Sequence, residues 1–268
     1  MVGPVPEYID IGRVLTLDEL REVKDAGYAG VVPYLDPFNP KGATPQYLRD
    51  IATAGLLVPG FFYETTGGSG QPAYFSESQG KTDAAYAEVL LALVGHLVPK
   101  GVPVWYAADI NIDPSLFTPY ANGIAAIATS AQTPGIYGFQ RLCDYARVEY
   151  PAFGKHLAQT YGAENASLEL WQHEQVSING IVVDLDDVRV PGWTPGGTDM
   201  EYVGKAEFEA YQADVKATIE GTDGGATVEN GGLKGIINWL IDFAIADKQI
   251  DAGQQTQITA IRTALHQA

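Results

Sequence analysis

Five short apolar runs in this chain end on an acid or meet one at once: Tyr8-Ile9-Asp10, Val31 to Asp36, Leu57 to Glu64, Val104 to Asp109, and Ile181 to Asp184. Runs so short and so apolar read as strands buried on both faces, as in a parallel sheet covered by helices. Asp10, Asp36 and Glu64 follow one another at about the length of one βα unit. The sequence between them carries helix signals. Thr16-Leu17-Asp18-Glu19 is a capping box, Thr44-Pro45 places a cap before a proline at the first helical position, and Ala26-Gly27 and Ala54-Gly55 are glycine stops. A longer helix is expected from about Thr82 to Val98, with Val89, Leu90, Leu93, Val94 and Leu97 as its apolar stripe. Val102 to Ala108 reads as the fourth strand. A helix around Phe117 to Thr129, a short strand at Gly135 to Gly138, a helical stretch from Leu142 to Tyr161 interrupted near Pro151, and strands at Leu168 to Gln172 and Ile181 to Asp184 complete the alternation. Residues 1–195 are therefore expected to form an α/β domain, a TIM-like (β/α)8 barrel of seven or eight units.

The carboxyl ends of parallel barrel strands share one rim, so acids that follow buried runs converge there. Asp10, Glu64, Asp109 and Asp184 are accordingly the candidate catalytic residues. Glycosidic cleavage needs one carboxylic acid to protonate the leaving oxygen. It needs a second carboxylate to act on the anomeric carbon, on water or on a neighbouring acetamido group. Crowded carboxylates also raise one another's pKa, which holds one protonated near neutral pH. The competing role for each acid is a cap on the following helix. Aromatic faces suit the apolar faces of sugar rings, and Tyr34, Tyr63, Trp105, Tyr106, Tyr137 and Trp171 stand near the same strand ends. Neighbouring strand residues face opposite ways, so several of these must be plain core. Tyr34, Tyr63, Tyr137 and Trp171, with Asn111, are the expected substrate-binding residues.

Composition narrows the partners. The 268 residues hold 33 acids against 16 bases, a formal charge of −17, which argues against nucleic acid and anionic membranes. Met1 to Pro6 lacks the basic patch and apolar stretch of a secretion signal, and no run approaches the roughly 20 apolar residues of a membrane span. Synthesis in a cytoplasm is the expectation. Cys143 is the sole cysteine, so no disulfide forms within one chain, and a buried, unreactive thiol is expected. His96, His156, His173 and His266 show no metal-ligand spacing. Asp109 to Asp113 imitates half a calcium loop, but Pro114 and Tyr120 occupy the places of its glycine and closing glutamate. No metal or cofactor is expected.

Composition changes at Val190. Pro191 to Gly197 reads as a linker, and residues 196–268 as a helical C-terminal extension. Leu233, Ile236, Ile237, Leu240, Ile241 and Phe243 are too many apolar residues for an exposed helix. Residues 233–266 are thus expected to dock on their own barrel, to self-associate or to anchor the chain in a larger assembly.

These segments together resemble a known family, the glycoside-hydrolase-like barrel domain of actinobacteria and their phages, a relative of the muramidases of glycoside hydrolase family 25. The resemblance covers roughly Glu7 to Val190. It rests on Tyr8-Ile9-Asp10, Ala26 to Leu35, Ala54-Gly55-Leu56 into Phe62-Tyr63-Glu64-Thr65, Pro103 to Asp109, Ile136-Tyr137-Gly138, Leu170-Trp171-Gln172 and Val183 to Asp186, in matching order and spacing. It implies a (β/α)8 or slightly incomplete barrel, a cell-wall peptidoglycan substrate, and site roles for Asp10, Glu64, Asp109 and Asp184. Two positions depart from the family pattern. Pro33 stands where a basic residue is common, and Asn111 where the related muramidases carry the glutamate that serves as catalytic acid. An amide cannot donate a proton as a carboxylic acid does. Three readings follow: a minor tail protein of a phage virion that presents the barrel to host peptidoglycan, an active lysozyme-like endolysin with Glu64 as the acid, and a barrel with a purely structural role.

Overall fold

The computed structural model describes residues 7–36, 41–64, 71–94, 97–108, 110–111, 113–128, 132–150, 157–160, 162–164 and 167–196. Asp109 and the whole expected C-terminal extension, including residues 233–266, lie outside the described residues. Nine strands form one sheet: β1 (Glu7–Asp10), β2 (Gly30–Val31), β3 (Tyr34–Leu35), β4 (Phe61–Tyr63), β5 (Val102–Ala108), β6 (Gln132–Phe139), β7 (Leu157–Thr160), β8 (Leu170–Ile178) and β9 (Ile181–Val188). Their spatial order is β2-β1-β9-β8-β7-β6-β5-β4-β3. Five helices accompany them: α1 (Leu17–Asp25), α2 (Pro45–Thr53), α3 (Glu77–Val94), α4 (Thr118–Ile127) and α5 (Gln140–Glu149).

The sheet is curled. Its two outermost strands, β2 and β3, are adjacent pieces of one stretch of chain. Val32 N–H donates to Ile9 O at 2.8 Å on the β1 side, and Phe62 N–H donates to Pro33 O at 3.0 Å on the β4 side. Pro33 has no N–H to give a ladder, which accounts for the break between β2 and β3.

The all-parallel (β/α)8 expectation needs correction at the C-terminal side. β9 runs antiparallel to both β8 and β1. No helix separates β8 from β9; a two-residue turn does, with Asn179 at φ 50° and Gly180 at φ 91°. Both central residues at positive φ make the tight turn whose twist matches a hairpin. A second correction concerns Leu142 to Tyr161. The helix α5 ends at Glu149, and Leu157–Thr160 is strand β7, paired parallel to β6.

The expected starts of α1 and α2 hold, whereas α3 begins at Glu77 and ends at Val94, a turn ahead of the expected Thr82 to Val98. Thr16 N–H donates to Glu19 Oε2 at 2.8 Å, and Glu19 N–H to Thr16 Oγ at 3.3 Å, so each end of the capping box satisfies a free donor of the first turn. Thr44 caps α2 through Tyr47 N–H, with Pro45 in the first turn. The strands divide the core into two layers by alternation. Tyr8, Val32, Phe62, Trp105, Ala158, Leu170 and Val188 pack together on the concave face of the sheet. Tyr63, Tyr106, Phe117 and Tyr120 are equally buried but belong to the opposite layer, beneath α3 and α4.

Candidate functional site

Asp10 ends β1 with its side chain on the concave face, 1% exposed. A carboxylate so deeply buried needs donors, and it has two. Tyr34 Oη donates to Asp10 Oδ1 at 2.6 Å, and Gln172 Nε2 donates to Oδ2 at 2.7 Å. The amide oxygen of Gln172 in turn accepts from Tyr137 Oη at 2.8 Å and from Thr160 Oγ at 2.7 Å. Strands β1, β3, β6, β7 and β8 are thereby tied together across the sheet interior by one polar chain.

On the other side of Asp10 lies β9. Its reversed direction brings Asp184 into register with Asp10 and Asp186 into register with Tyr8 and Gln172. Residues directly opposite in an antiparallel pair share a face, so Asp184 and Asp186 both point to the concave side with Asp10. Asp186 is fully buried, and among the described residues no N–H or O–H reaches either of its oxygens. Burial raises its pKa well above the usual carboxylate value, and the charge of Asp10 raises it further. Burial and the neighbouring Asp10 both favour the neutral form of Asp186. Burial likewise lifts Asp10 to about 6, against the hydrogen bond from Tyr34, with Asp184 adding to the rise. Two crowded, desolvated carboxyl groups cannot both ionise cheaply. Asp184 is less buried and accepts a hydrogen bond from Gln175 Nε2 at 3.0 Å.

Glu64 sits at the end of β4, where the strand-end rule places it. Lys41 Nζ donates to Glu64 Oε2 at 2.5 Å and lies 4.2 Å from the centre of the Tyr34 ring. Lys41 is itself 8% exposed, so the ammonium is held between a carboxylate and an aromatic face rather than in water. Tyr34 links this pair to Asp10.

Next to this network an open depression of about 450 Å³ is lined by Asn111, Phe139, Gln140, Arg141, Asp144, Thr160 and Gly162. Thr160 is the shared residue: it lines the depression and bonds to Gln172. A bound molecule there would be one side chain removed from the Gln172–Asp10 hydrogen bond.

The structure thus brings Asp10, Tyr34, Glu64, Tyr137 and Asp184 together, with Asn111 on the adjoining depression. Asp109 lies outside the described residues. Two expected substrate residues are elsewhere. Tyr63 is one residue past the concave-facing Phe62, so it faces outward, 1% exposed, with its hydroxyl donating to Asp83 of α3 at 3.2 Å. Trp171 precedes the concave-facing Gln172 and stacks on His173 on the outer face, with ring centres 4.8 Å apart. Sequence reasoning overlooked Asp186, Gln172, Thr160 and Lys41. The signal for Asp186 was available, because the spacing of two residues puts it on the same strand face as Asp184. Nothing in the sequence marks Lys41 as a partner of Glu64.

Two of the solved structures compared share this chain's fold. The Tat-secreted protein Rv2525c of Mycobacterium tuberculosis, crystallised in complex with HEPES, matches with a TM-score of 0.59 and 19% identity over 72% of this chain and 100% of that one. A B. stearothermophilus protein matches with a TM-score of 0.51 and 15% identity, over 69% of this chain and 96% of that one. The modular Cpl-1 endolysin, in complex with a peptidoglycan analogue, matches with a TM-score of 0.47 and 15% identity, over 70% of this chain and 55% of that one. No curated protein sequence matches. The family model for the Rv2525c-like, glycoside hydrolase-like domain matches residues 21–235, and the chain belongs to that family.

Proposed function

We propose that this glycoside hydrolase-like domain binds cell-wall peptidoglycan at the depression beside Asp10, without efficient cleavage, as a minor tail protein of a phage virion. One observation carries the binding reading: an amide, Asn111, lines the depression at the position of the family's acid, while the neighbouring acids are already engaged. Asp10 accepts from Tyr34 and Gln172, and Glu64 is ion-paired to Lys41. The remaining lining of Phe139, Gln140, Arg141, Asp144 and Thr160 offers an aromatic face and hydrogen-bonding groups of both kinds, which suits a glycan carrying amides and carboxylates. We read the curled sheet as a TIM-like barrel closed through residues 30–35, with its mouth at this site. The virion assignment is supported by the apolar helix-like segment at Leu233 to Phe243 and by the resemblance to barrels of actinobacteria and their phages.

A second reading, an active hydrolase, is favoured by the raised pKa values of Asp10 and Asp186, the direction a general acid requires. Incubating the chain with purified actinobacterial walls, pelleting them and assaying the supernatant for reducing ends separates the two. Pelleting without release supports binding. Release that disappears in Glu64→Gln or Asp186→Asn supports hydrolysis. Absence of both would overturn both. Mass spectrometry of purified particles tests the virion assignment, which fails if the chain is missing from them.

A further inference from the structure

On the convex side of the same strands, away from the proposed glycan site, Glu7 of β1 and Asp187 of β9 stand directly opposite each other in the antiparallel register. Like charges at directly opposed positions are destabilising unless something positive lies between them. Among the described residues no lysine or arginine pairs with either. What faces them is His173 of β8. The register of β8 against β9 shifts between Gln172 and Glu174, so His173 is the extra residue of a β-bulge and is turned toward Asp187. Bulges of this kind re-aim a side chain. Its Nε2 is shut off from solvent and has no hydrogen-bond partner, and Asp187 Oδ1 is 3.6 Å from it. That gap is too long for a hydrogen bond. It is close to the separation of about 3.4 Å between two ligand atoms bound at ~2.1 Å in a tetrahedral metal site. One ligand atom each from Glu7, His173 and Asp187 lies within 4.8 Å of the others. Trp171, itself in register with Asp187, packs against the imidazole with ring centres 4.8 Å apart and planes tilted by 35°.

We infer that Glu7, His173 and Asp187 form a binding site for one divalent transition-metal ion, Zn²⁺ by the chemistry of the set. One imidazole nitrogen and two carboxylate oxygens suit zinc better than magnesium or calcium, which prefer oxygen ligands alone. The ion cancels the two carboxylate charges and clamps β8, β9 and β1, the three strands held by antiparallel pairing. A water molecule completes the fourth position. The site is invisible to sequence spacing because its ligands come from three strands, 166 and 14 residues apart along the chain.

The test is titration of the metal-stripped full chain with Zn²⁺, read by competition with a chromophoric chelator and by thermal melting, with Mg²⁺ as comparison. The expected result is one tightly held Zn²⁺ per chain, a raised Tm and no response to Mg²⁺ at equal concentration. His173→Ala and Asp187→Asn should each weaken binding at least ~10-fold. Glu7→Gln alters an exposed position and should weaken it too, without disturbing the fold. Co²⁺ in place of zinc should give the intense visible absorption of a tetrahedral site. Absence of stoichiometric binding overturns the inference. So does binding that survives in both His173→Ala and Glu7→Gln, since the ion would then belong to other groups.

Discussion

Asp186 is a buried carboxyl group with an acidic neighbour beside it and, among the described residues, no hydrogen-bond partner, so its surroundings favour the neutral form. The consequence for stability has a definite sign. Asp10 is raised to about 6 in the fold, from an unfolded value near 3.9, and Asp186 is raised further. The folded chain therefore holds protons that the unfolded chain has released. The stability linked to these groups is fully present below about pH 4 and is lost as pH rises through 6 and beyond. Buried Asp83 is raised as well and adds in the same direction. Glu19, held at about 2 by its hydrogen bond from Arg13, works oppositely, but only below about pH 4.5, and it is exposed enough to count for little. We expect the Tm of the chain to rise from pH 8 to pH 5. In Asp186→Asn, whose amide can donate to Asp10 without a proton to lose, the slope should flatten and the pH 8 value should increase. An unchanged slope in calorimetry of this variant would show that the pair is not the source. Asp184 teaches a related lesson about what the sequence could reveal. Its apolar run reads as a parallel strand ending at the acid; the acid lies mid-strand in an antiparallel one, and only the register with Asp10 brings it to the site. Trp171 and Tyr63 failed for want of a parity test, each standing one residue from the side chain that faces inward.

Among the elements, the strands up to β5 and the helices α1 and α2 were legible because their boundaries are written locally, in caps, glycine stops and uninterrupted apolar runs. Strands β6, β8 and β9 were legible as apolar runs too; β7 and the antiparallel turn into β9 were not, although Asn179-Gly180 is itself a strong hairpin signal between β-rich segments. Periodicity also favours helix over 157–160, where Leu157-Ala158-Gln159-Thr160 has no strong β-former; pairing with β6 decides it. Glycines separate two kinds of element-level constraint. Gly180 has positive φ and open space around a built Cβ. Gly180→Ala should therefore cost only the backbone strain of about 1 kcal/mol. Gly80 of α3 and Gly123 of α4 are different. A Cβ on Gly80 would meet Tyr120 O at 2.1 Å, and one on Gly123 would meet Glu77 O at 2.2 Å. These two helices touch backbone to backbone, so either alanine must push them apart. That costs at least about 2–3 kcal/mol and disturbs the Tyr120 and Gln79 hydrogen bonds to Asp83, 2.6 and 2.8 Å long. Urea denaturation of the three variants should rank Gly180→Ala well above the other two in stability. Equal losses would mean the close helix approach is not a constraint.

For the molecule as a whole, charge governs how a wall surface is met. Peptidoglycan bears peptide carboxylates, and the chain carries a formal charge of −17. Long-range electrostatics therefore opposes the approach that we propose, in contrast to a basic wall-binding protein, for which it would steer. Recognition has to come from short-range contacts in the depression, where Arg141 is the one cationic side chain among the lining residues. It is 3.7 Å from Asp113, a distance at which the guanidinium remains available to a ligand. Salt should then act in an unusual direction. Screening shortens the range of repulsion from roughly 30 Å at 0.01 M to about 10 Å at 0.1 M. The fraction of chain that pellets with purified walls should rise over this interval and level off above it. Arg141→Ala should lower the plateau without changing the direction of the salt effect, because the repulsion belongs to the whole surface and the guanidinium to the site. Binding that falls steadily with salt would mean that a local cationic patch, and not the shape and hydrogen bonding of the depression, holds the glycan.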